Sequence, residues 1–237
     1  MMSIPMPMLL IGPMVPSTYL NDRIKGDKGY GANLWEPTRD ECLKWLETKP
    51  TKSVIYVSFG SIAELEPKQM QELAMGLKGT GKHFIWVLKD SEHRKLPDGF
   101  EDSVEESGLL VTWCVQLEVL AHQATGCFIT HCGWNSTLEG LSLGVPMVAV
   151  PQWTDQPTNA MFAEDVWRVG VRAKVDENGI VGREEFQFCI REVMEGERSG
   201  EFKRNACKWS ELAKEAIGEG GSSEKNIDIF VEHFFSG

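Results

Sequence analysis

Between positions 113 and 156 lie eight residues whose types and spacing could hold a polar ligand: Trp113, His131, Trp134, Asn135, Ser136, Glu139, Asp155 and Gln156. Two short apolar runs in this stretch, 127–130 and 146–150, read as buried strands, and each runs straight into a polar loop and a helix start. The eight residues therefore fall at strand ends and helix N-termini. In an open α/β sheet, ligands bind outside the carboxyl ends of the strands.

The loop 131–134 has the clearest chemistry. A strand ends at Thr130 and a helix begins near Asn135. The unpaired N–H groups of that first helical turn form an anion site, to which Asn135 and Ser136 add neutral donors. Gly133 allows a ligand close to the backbone. A diphosphate bound by an acidic protein needs such a neutral, dipole-based site. Capping is the competing explanation, because Ser136-x-x-Glu139 fits a capping box and would account for both residues without a ligand.

Asp155-Gln156-Pro157 repeats the logic. Asp is a good N-cap and Pro suits the first helical position. Asp and Gln together also suit a sugar, whose adjacent hydroxyls need paired donors and acceptors. Capping explains Asp155 well and Gln156 poorly. Trp113 and Trp134 could stack on a base or a sugar face, although a Trp after a strand also fits simple core packing.

Other constellations fail on spacing. Cys114, His122, Cys127, His131 and Cys132 match no standard zinc pattern, and Cys127 lies inside an apolar strand, so no metal site is expected. Residues 76–83 (GLKGTGKH) nearly match a phosphate-binding Walker loop. His83 stands where Ser or Thr must meet the metal, however, and the strand follows the glycines instead of preceding them. These residues read better as a helix end and turn. No GxGxxG fingerprint follows the first strand, and no GxSxG elbow occurs.

The elements that must position these residues alternate. Strands are expected over 53–59, 83–88, 109–112, 127–130, 146–150 and 169–173. Helices are expected over 37–47, 66–78, 116–122, 135–143 and 156–167, then 183–195, 200–217 and 224–235. Residues 89–108 read as a polar stretch with a turn at 96–100. Alternation of this kind implies parallel pairing with right-handed crossovers, an α/β, Rossmann-like parallel sheet flanked by helices. Residues 1–35, rich in Met, Pro and Gly, read as an extended linker that lies against something else, so the chain looks like the back part of a longer protein.

The totals narrow the partners. The chain has 237 residues, 42% hydrophobic and 25% charged, enough for a sizeable core. Its 24 Lys and Arg against 35 Asp and Glu give a net charge of −11, which argues against nucleic acid or an anionic membrane as partner. The scattered cysteines read as reduced thiols of a cytoplasmic protein. Prolines interrupt the apolar N-terminus, which fits neither a signal peptide nor a membrane span. The sequon at Asn135 is then accidental.

Residues 113–156 closely resemble the signature box of plant family 1 UDP-sugar-dependent glycosyltransferases. W-x-x-Q, H-x-x-x-G-x-F-x-T-H-x-G-W-N-S, the Glu, G-V-P-M and the closing D-Q are all present without a gap. The flanks agree: Ile11-Gly12-Pro13 resembles the family's interdomain linker, residues 54–61 (VIYVSFGS) its first strand and turn, and 96–100 (LPDGF) is also typical. Val115 departs from the usual Pro or Ser.

The resemblance implies a UDP-binding set of Ser61, Trp113, Gln116, His131, Asn135, Ser136 and Glu139. Trp113 would stack on uracil with Gln116 near base and ribose, Glu139 would accept from the ribose hydroxyls, and the others would hold the diphosphate. It implies a sugar-binding set of Trp134, Asp155 and Gln156, the final Gln being the family's usual mark of glucose. The implied enzyme is an inverting GT-B glucosyltransferase. It would use UDP-glucose, without metal or nicotinamide, on a hydroxyl or carboxyl of a small lipophilic acceptor (phenolic, terpenoid or hormone-like). The implied organisation is a linker and short helix over 1–50, a UDP-sugar-binding domain over 51–218, and a helix over 219–237 that packs on an N-terminal acceptor domain. That domain carries the family's catalytic His and Asp, and no His here matches. The chain is expected to bind donor with little or no turnover. The rival expectations are a non-catalytic fragment that binds UDP-sugar, or an interaction module that pairs with another chain, without turnover, and, on residues 76–82 alone, a P-loop nucleotide hydrolase.

Overall fold

The computed structural model describes residues 8–27 and 39–235. Its centre is a six-stranded sheet in the order β3-β2-β1-β4-β5-β6. The strands are β1 (Val54–Ser58), β2 (His83–Val87), β3 (Gly108–Val111), β4 (Thr125–Thr130), β5 (Met147–Ala149) and β6 (Gly170–Arg172). Every neighbouring pair is parallel, with Tyr56 opposite Ile85 on one side and Phe128 on the other. β1 and β4 are buried along their whole length, as strands covered on both faces must be.

Alternate residues feed two cores. Ile55, Val57, Trp86, Cys127 and Ile129 face α2 (Pro67–Thr80) and α7 (Arg183–Met194), meeting Leu73, Leu77, Phe186 and Ile190. Tyr56, Ile85, Phe128 and Met147 face the opposite layer of α1 (Arg39–Glu47), α4 (Gln116–Ala121), α5 (Trp134–Ser142) and α8 (Ser199–Ile217). This is the α/β, Rossmann-like arrangement that the alternating pattern implies. The helix α9 (Ser222–Phe235) closes the described chain.

Some segments differ from expectation. The polar stretch 89–108 contains a 3₁₀ turn, Asp90–Lys95, and the short helix α3 (Phe100–Ser103). Buried Glu92 organises the turn by accepting from the Leu65 N–H (3.2 Å) and the Lys95 ammonium (3.3 Å). Phe100 packs on Phe84 and Trp86. A run with almost no apolar period thus orders around one carboxylate and one ring. The helix expected over 156–167 is α6 (Gln156–Met161) followed by a π-turn, Phe162–Val166. There the Trp167 N–H reaches back to the Phe162 carbonyl at 2.7 Å, and the Trp167 ring sits between Phe162 and Trp209.

Of the expected linker, residues 1–7 and 28–38 lie outside the described residues, as does the start of the helix expected over 37–47. The described part runs along α9. Ser223 Oγ accepts from the Gly12 N–H at 2.9 Å, and the Asn226 amide donates to the Leu10 carbonyl at 2.6 Å. Arg23 pairs with Glu224. Val15 and Leu20 are buried against Leu117. No helix among the described residues is long and apolar enough to cross a membrane.

Candidate functional site

Strand order reverses between β1 and β4, the point where open parallel sheets bind ligands. The loops leaving β1, β4 and β5 at this edge surround a cavity of about 390 Å³. Ser61, His131, Trp134, Asn135, Ser136, Asp155 and Gln156 all line it. Seven residues singled out by sequence are thereby brought together. Trp153 and Thr154 line it too and were missed. Trp153 is 51% exposed, as is Trp134, and its place two residues before Asp155 was the available signal.

His131 forms one wall. Its ring edge lies between Gly60 and Gly133, where a β-carbon would come within 2.9 Å and 2.5 Å of Nε2 respectively. Gly60 also needs its left-handed backbone (φ +74°). Gly133 therefore makes room for the imidazole as well as for a ligand. Burial holds the His131 pKa below its ordinary value, opposed by the Asp155 charge and the Ser58 backbone. The ring is thus neutral at neutral pH. Nδ1 is buried with no well-formed hydrogen bond. Cys132 takes a left-handed conformation (φ +60°), and the Asn159 amide fixes its carbonyl at 2.9 Å.

The N-terminus of α5 opens onto the cavity. The helix begins at Trp134 with Gly133 as its cap and no capping side chain. Ser136 is then the third helical residue, so the capping-box explanation of Ser136 and Glu139 does not hold. The first N–H groups of this nine-residue helix, at Trp134, Asn135 and Ser136, remain free of intrahelical partners. Their dipole favours an anion.

Asp155 and Gln156 lie at the start of α6. Asp155 does not cap with its side chain. Its carboxylate accepts from Thr154 Oγ1 at 2.8 Å and the Asn159 amide at 2.6 Å. These bonds, Thr154's first, hold its pKa below the usual carboxylate value. Gln156 is buried, and its Oε1 accepts from the backbone N–H of Gln152 (2.9 Å) and Trp153 (3.1 Å). Holding the oxygen this way leaves the amide NH₂ as the donor a ligand can use.

Trp113, Gln116 and Glu139 stand apart from this cavity. Trp113 lines an adjacent crevice with Phe59, Lys89 and Thr112, and Gly60 belongs to both spaces. The Gln116 amide bridges the two sides, donating to Ser136 Oγ at 3.0 Å and to the buried Glu139 carboxylate at 2.6 Å. The cavity and the crevice at Trp113 are thus neighbouring sectors, and the Gln116 amide meets the cavity wall at Ser136.

No group of three or more His, Cys, Asp or Glu side chains converges among the described residues. Cys127 sits inside β4, where burial pushes its thiol up to about 12. The glycines of 76–81 lie within and at the end of α2, with Gly81 as its left-handed cap (φ +65°). They form no loop after a strand, which removes the P-loop alternative.

Comparison with known proteins gives a consistent result. The family model for UDP-glucoronosyl and UDP-glucosyl transferase matches residues 20–217. The chain is 59% identical over 95% of its length to Mogroside I-E synthase of Siraitia grosvenorii. It is 57% identical over 96% to Crocetin glucosyltransferase 2 of Crocus sativus. Among solved structures, Os79 of O. sativa in complex with UDP superimposes with a TM-score of 0.90 at 46% identity, covering 95% of this chain and 50% of that one. The chain spans about half the length of the curated relatives it matches, 50% for each of these two.

Proposed function

The chain belongs to the UDP-glucoronosyl and UDP-glucosyl transferase family, in its plant family 1 branch, and from that premise we propose that it is the donor-binding half of an inverting GT-B UDP-glucosyltransferase. The observation that carries the reading is the cavity at the β1–β4 edge, where the α5 N-terminus and His131 face Asp155 and Gln156. One side suits a diphosphate and the other a sugar.

In this reading the α5 amides, Ser61, His131, Asn135 and Ser136 hold the diphosphate. Negative charge grows on UDP as the bond to the anomeric carbon breaks, and donors already aimed there stabilise it without reorganising. Neutral donors suffice, so the proposed enzyme needs no metal. Trp134, Asp155 and Gln156 orient glucose. Trp113, Gln116 and Glu139 take the nucleoside. The acceptor oxygen attacks the anomeric carbon, UDP leaves and the configuration inverts. The base that removes the acceptor proton comes from an N-terminal acceptor domain. Residues 1–50 act as linker and short helix, 51–218 as the donor domain, and 219–237 as the helix that packs on the acceptor domain. The proposed setting is the cytoplasm. A small lipophilic acceptor accords with relatives named for crocetin and mogroside, and with Os79 solved with a trichothecene.

A non-catalytic UDP-sugar-binding module is the second reading. It is favoured by the scarcity of titratable groups at the cavity, where His131 and Asp155 are the ones that line it. One calorimetric experiment tests both readings. UDP-glucose and UDP-galactose are titrated into the 237-residue chain and its Gln156→His variant, with EDTA present and a phenolic acceptor added last. We expect UDP-glucose binding that survives EDTA, a preference for glucose that Gln156→His erodes, and little glucoside release. Losing one sugar hydrogen bond costs on the order of 1 kcal/mol. Absence of binding overturns the proposal. Selectivity unchanged in Gln156→His removes the role given to that residue. Rapid glucoside release shows that the acceptor domain is dispensable and excludes the non-catalytic reading.

A further inference from the structure

Beneath the nucleoside side of the site, a chain of polar groups runs into the core. Tyr56, at the centre of β1 and 1% exposed, stacks on Phe128 with ring centroids 5.1 Å apart. Its Oη lies 3.2 Å from Gln116 Oε1 and 3.4 Å from Cys114 Sγ. Gln116 in turn meets Ser136 and Glu139. A tyrosine in the middle of a fully buried strand needs a reason for its hydroxyl, because Phe would fill the same space without a polar atom to satisfy.

We propose that Tyr56 is a positioning residue of the donor site: its buried hydroxyl anchors the Gln116 amide, which in turn holds the Glu139 carboxylate and Ser136 hydroxyl where the nucleoside diphosphate meets them. The inference rests on the donor-binding reading of this cavity.

Proton arithmetic sets the direction of the chain. A carboxylate cannot donate, so the Gln116 atom 2.6 Å from Glu139 is the NH₂. The second amide hydrogen goes to Ser136 Oγ at 3.0 Å. That leaves Oε1 toward Tyr56, whose single proton must be donated to it. With that proton committed, Tyr56 Oη can only accept at its contact with Cys114 Sγ. Both groups keep their protons: burial raises Tyr56 well above the phenol's ordinary value, and the Cys42 contact together with burial does the same for Cys114. If the amide were rotated by half a turn, its oxygen would face the Glu139 carboxylate, so Glu139 excludes that state. The Tyr56 hydroxyl anchors the other end of the amide by donating to Oε1, which holds the side chain in place. Both amide hydrogens of Gln116 hold Ser136 and Glu139, the groups this site offers to the diphosphate and the nucleoside.

Tyr56→Phe keeps the ring and its stack on Phe128 and deletes one atom. The test compares the full chain with Tyr56→Phe, Gln116→Ala and the double variant, measuring dissociation constants for UDP and 2′-deoxy-UDP by calorimetry and melting temperatures alongside. We expect Tyr56→Phe to weaken UDP about five- to tenfold, the scale of one lost hydrogen bond. It should also shrink the preference for UDP over its 2′-deoxy analogue. In the Gln116→Ala background the same change should have no further effect, because the two act in series. Equal losses in both backgrounds, or an undiminished ribose preference, overturn the proposal, since a purely structural tyrosine moves stability alone. A Tyr56 hydroxyl proton that exchanges freely with water in the spectrum of the unmodified chain overturns it without any variant. If the unmodified chain binds no UDP, the donor-site reading itself fails and takes this inference with it.

Discussion

At the scale of single residues, the site depends on where β-carbons are missing. Gly133 has φ −58° in the cap of α5, a conformation open to any residue. Its requirement is steric, because an added β-carbon would lie 2.5 Å from His131 Nε2. The imidazole has little room to retreat, with Gly60 on its other side and the left-handed Cys132 fixing the loop between. Gly133→Ala should therefore push the ring into the cavity and weaken UDP by about tenfold or more, equivalent to roughly 1.4 kcal/mol, while the melting temperature falls little. Calorimetry with UDP checks this, and an affinity within about twofold of the parent would show that His131 yields without consequence. This constraint was not legible in the sequence. Gly133 could be recognised as a place where a backbone can be approached, but the approaching group turned out to include the protein's own histidine.

At the scale of elements, α2 shows how a misleading motif is resolved by packing. Its glycines suggest a phosphate loop, yet they lie in a packed helix, where Gly76 is required by packing and Gly79 is not. A β-carbon on Gly76 would sit 2.8 Å from Phe186 Cβ and 3.3 Å from the Arg183 carbonyl, so this glycine lets α7 approach α2. On Gly79 it would meet only the flexible end of Gln187, at 2.3 Å. Replacing a helical Gly by Ala favours the helix by up to about 1 kcal/mol, but overpacking a rigid core costs about 1–3 kcal/mol. The clash wins at Gly76, which abuts the fully buried Phe186, and the helix gain wins at Gly79. Gly76→Ala should lower the urea midpoint and Gly79→Ala should raise it. Matching shifts in both would mean that the α2–α7 contact is not rigid. Element type and extent were readable because the strands are continuous apolar runs and the helices keep their period. The Asp90–Lys95 turn was not, because Glu92 and Lys95 order it through long-range bonds to Leu65.

At the scale of the molecule, alternation in the sequence implies parallel pairing but not which strands are neighbours. Periodicity reports burial, and both neighbours of a buried strand are equally apolar. The order that puts β1 beside β4 came only from the assembled sheet; the joining of the residue 61 loop to the signature stretch was implied by the family resemblance and not by periodicity. That assembly also buries titratable groups of opposite kinds, which fixes how stability varies with pH. His131 and His83 both have pKa values depressed chiefly by burial. In the unfolded chain they take up protons near pH 6.5, but in the native chain only at lower pH. Between those limits the unfolded state binds more protons, so stability is full above about pH 6.5 and falls as the pH drops below it. Glu72 and Asp155, held below their ordinary values by the Arg183 and Thr154 hydrogen bonds respectively, act only below about pH 4.5 and leave this window to the imidazoles. On the alkaline side, burial pushes Cys127 and Cys132 up to about 12. Unfolded thiols ionise near pH 8.5, where the native ones do not, so stability declines again above about that value. Urea midpoints measured under reducing conditions from about pH 5 to 10 should trace a plateau between roughly 6.5 and 8.5. His131→Gln should flatten the acid limb and Cys127→Ala the alkaline one. A midpoint that does not change from about pH 7 to 5.5 would mean that the cavity already admits a protonated imidazole, and the neutral-donor account of the phosphate site would fail with it.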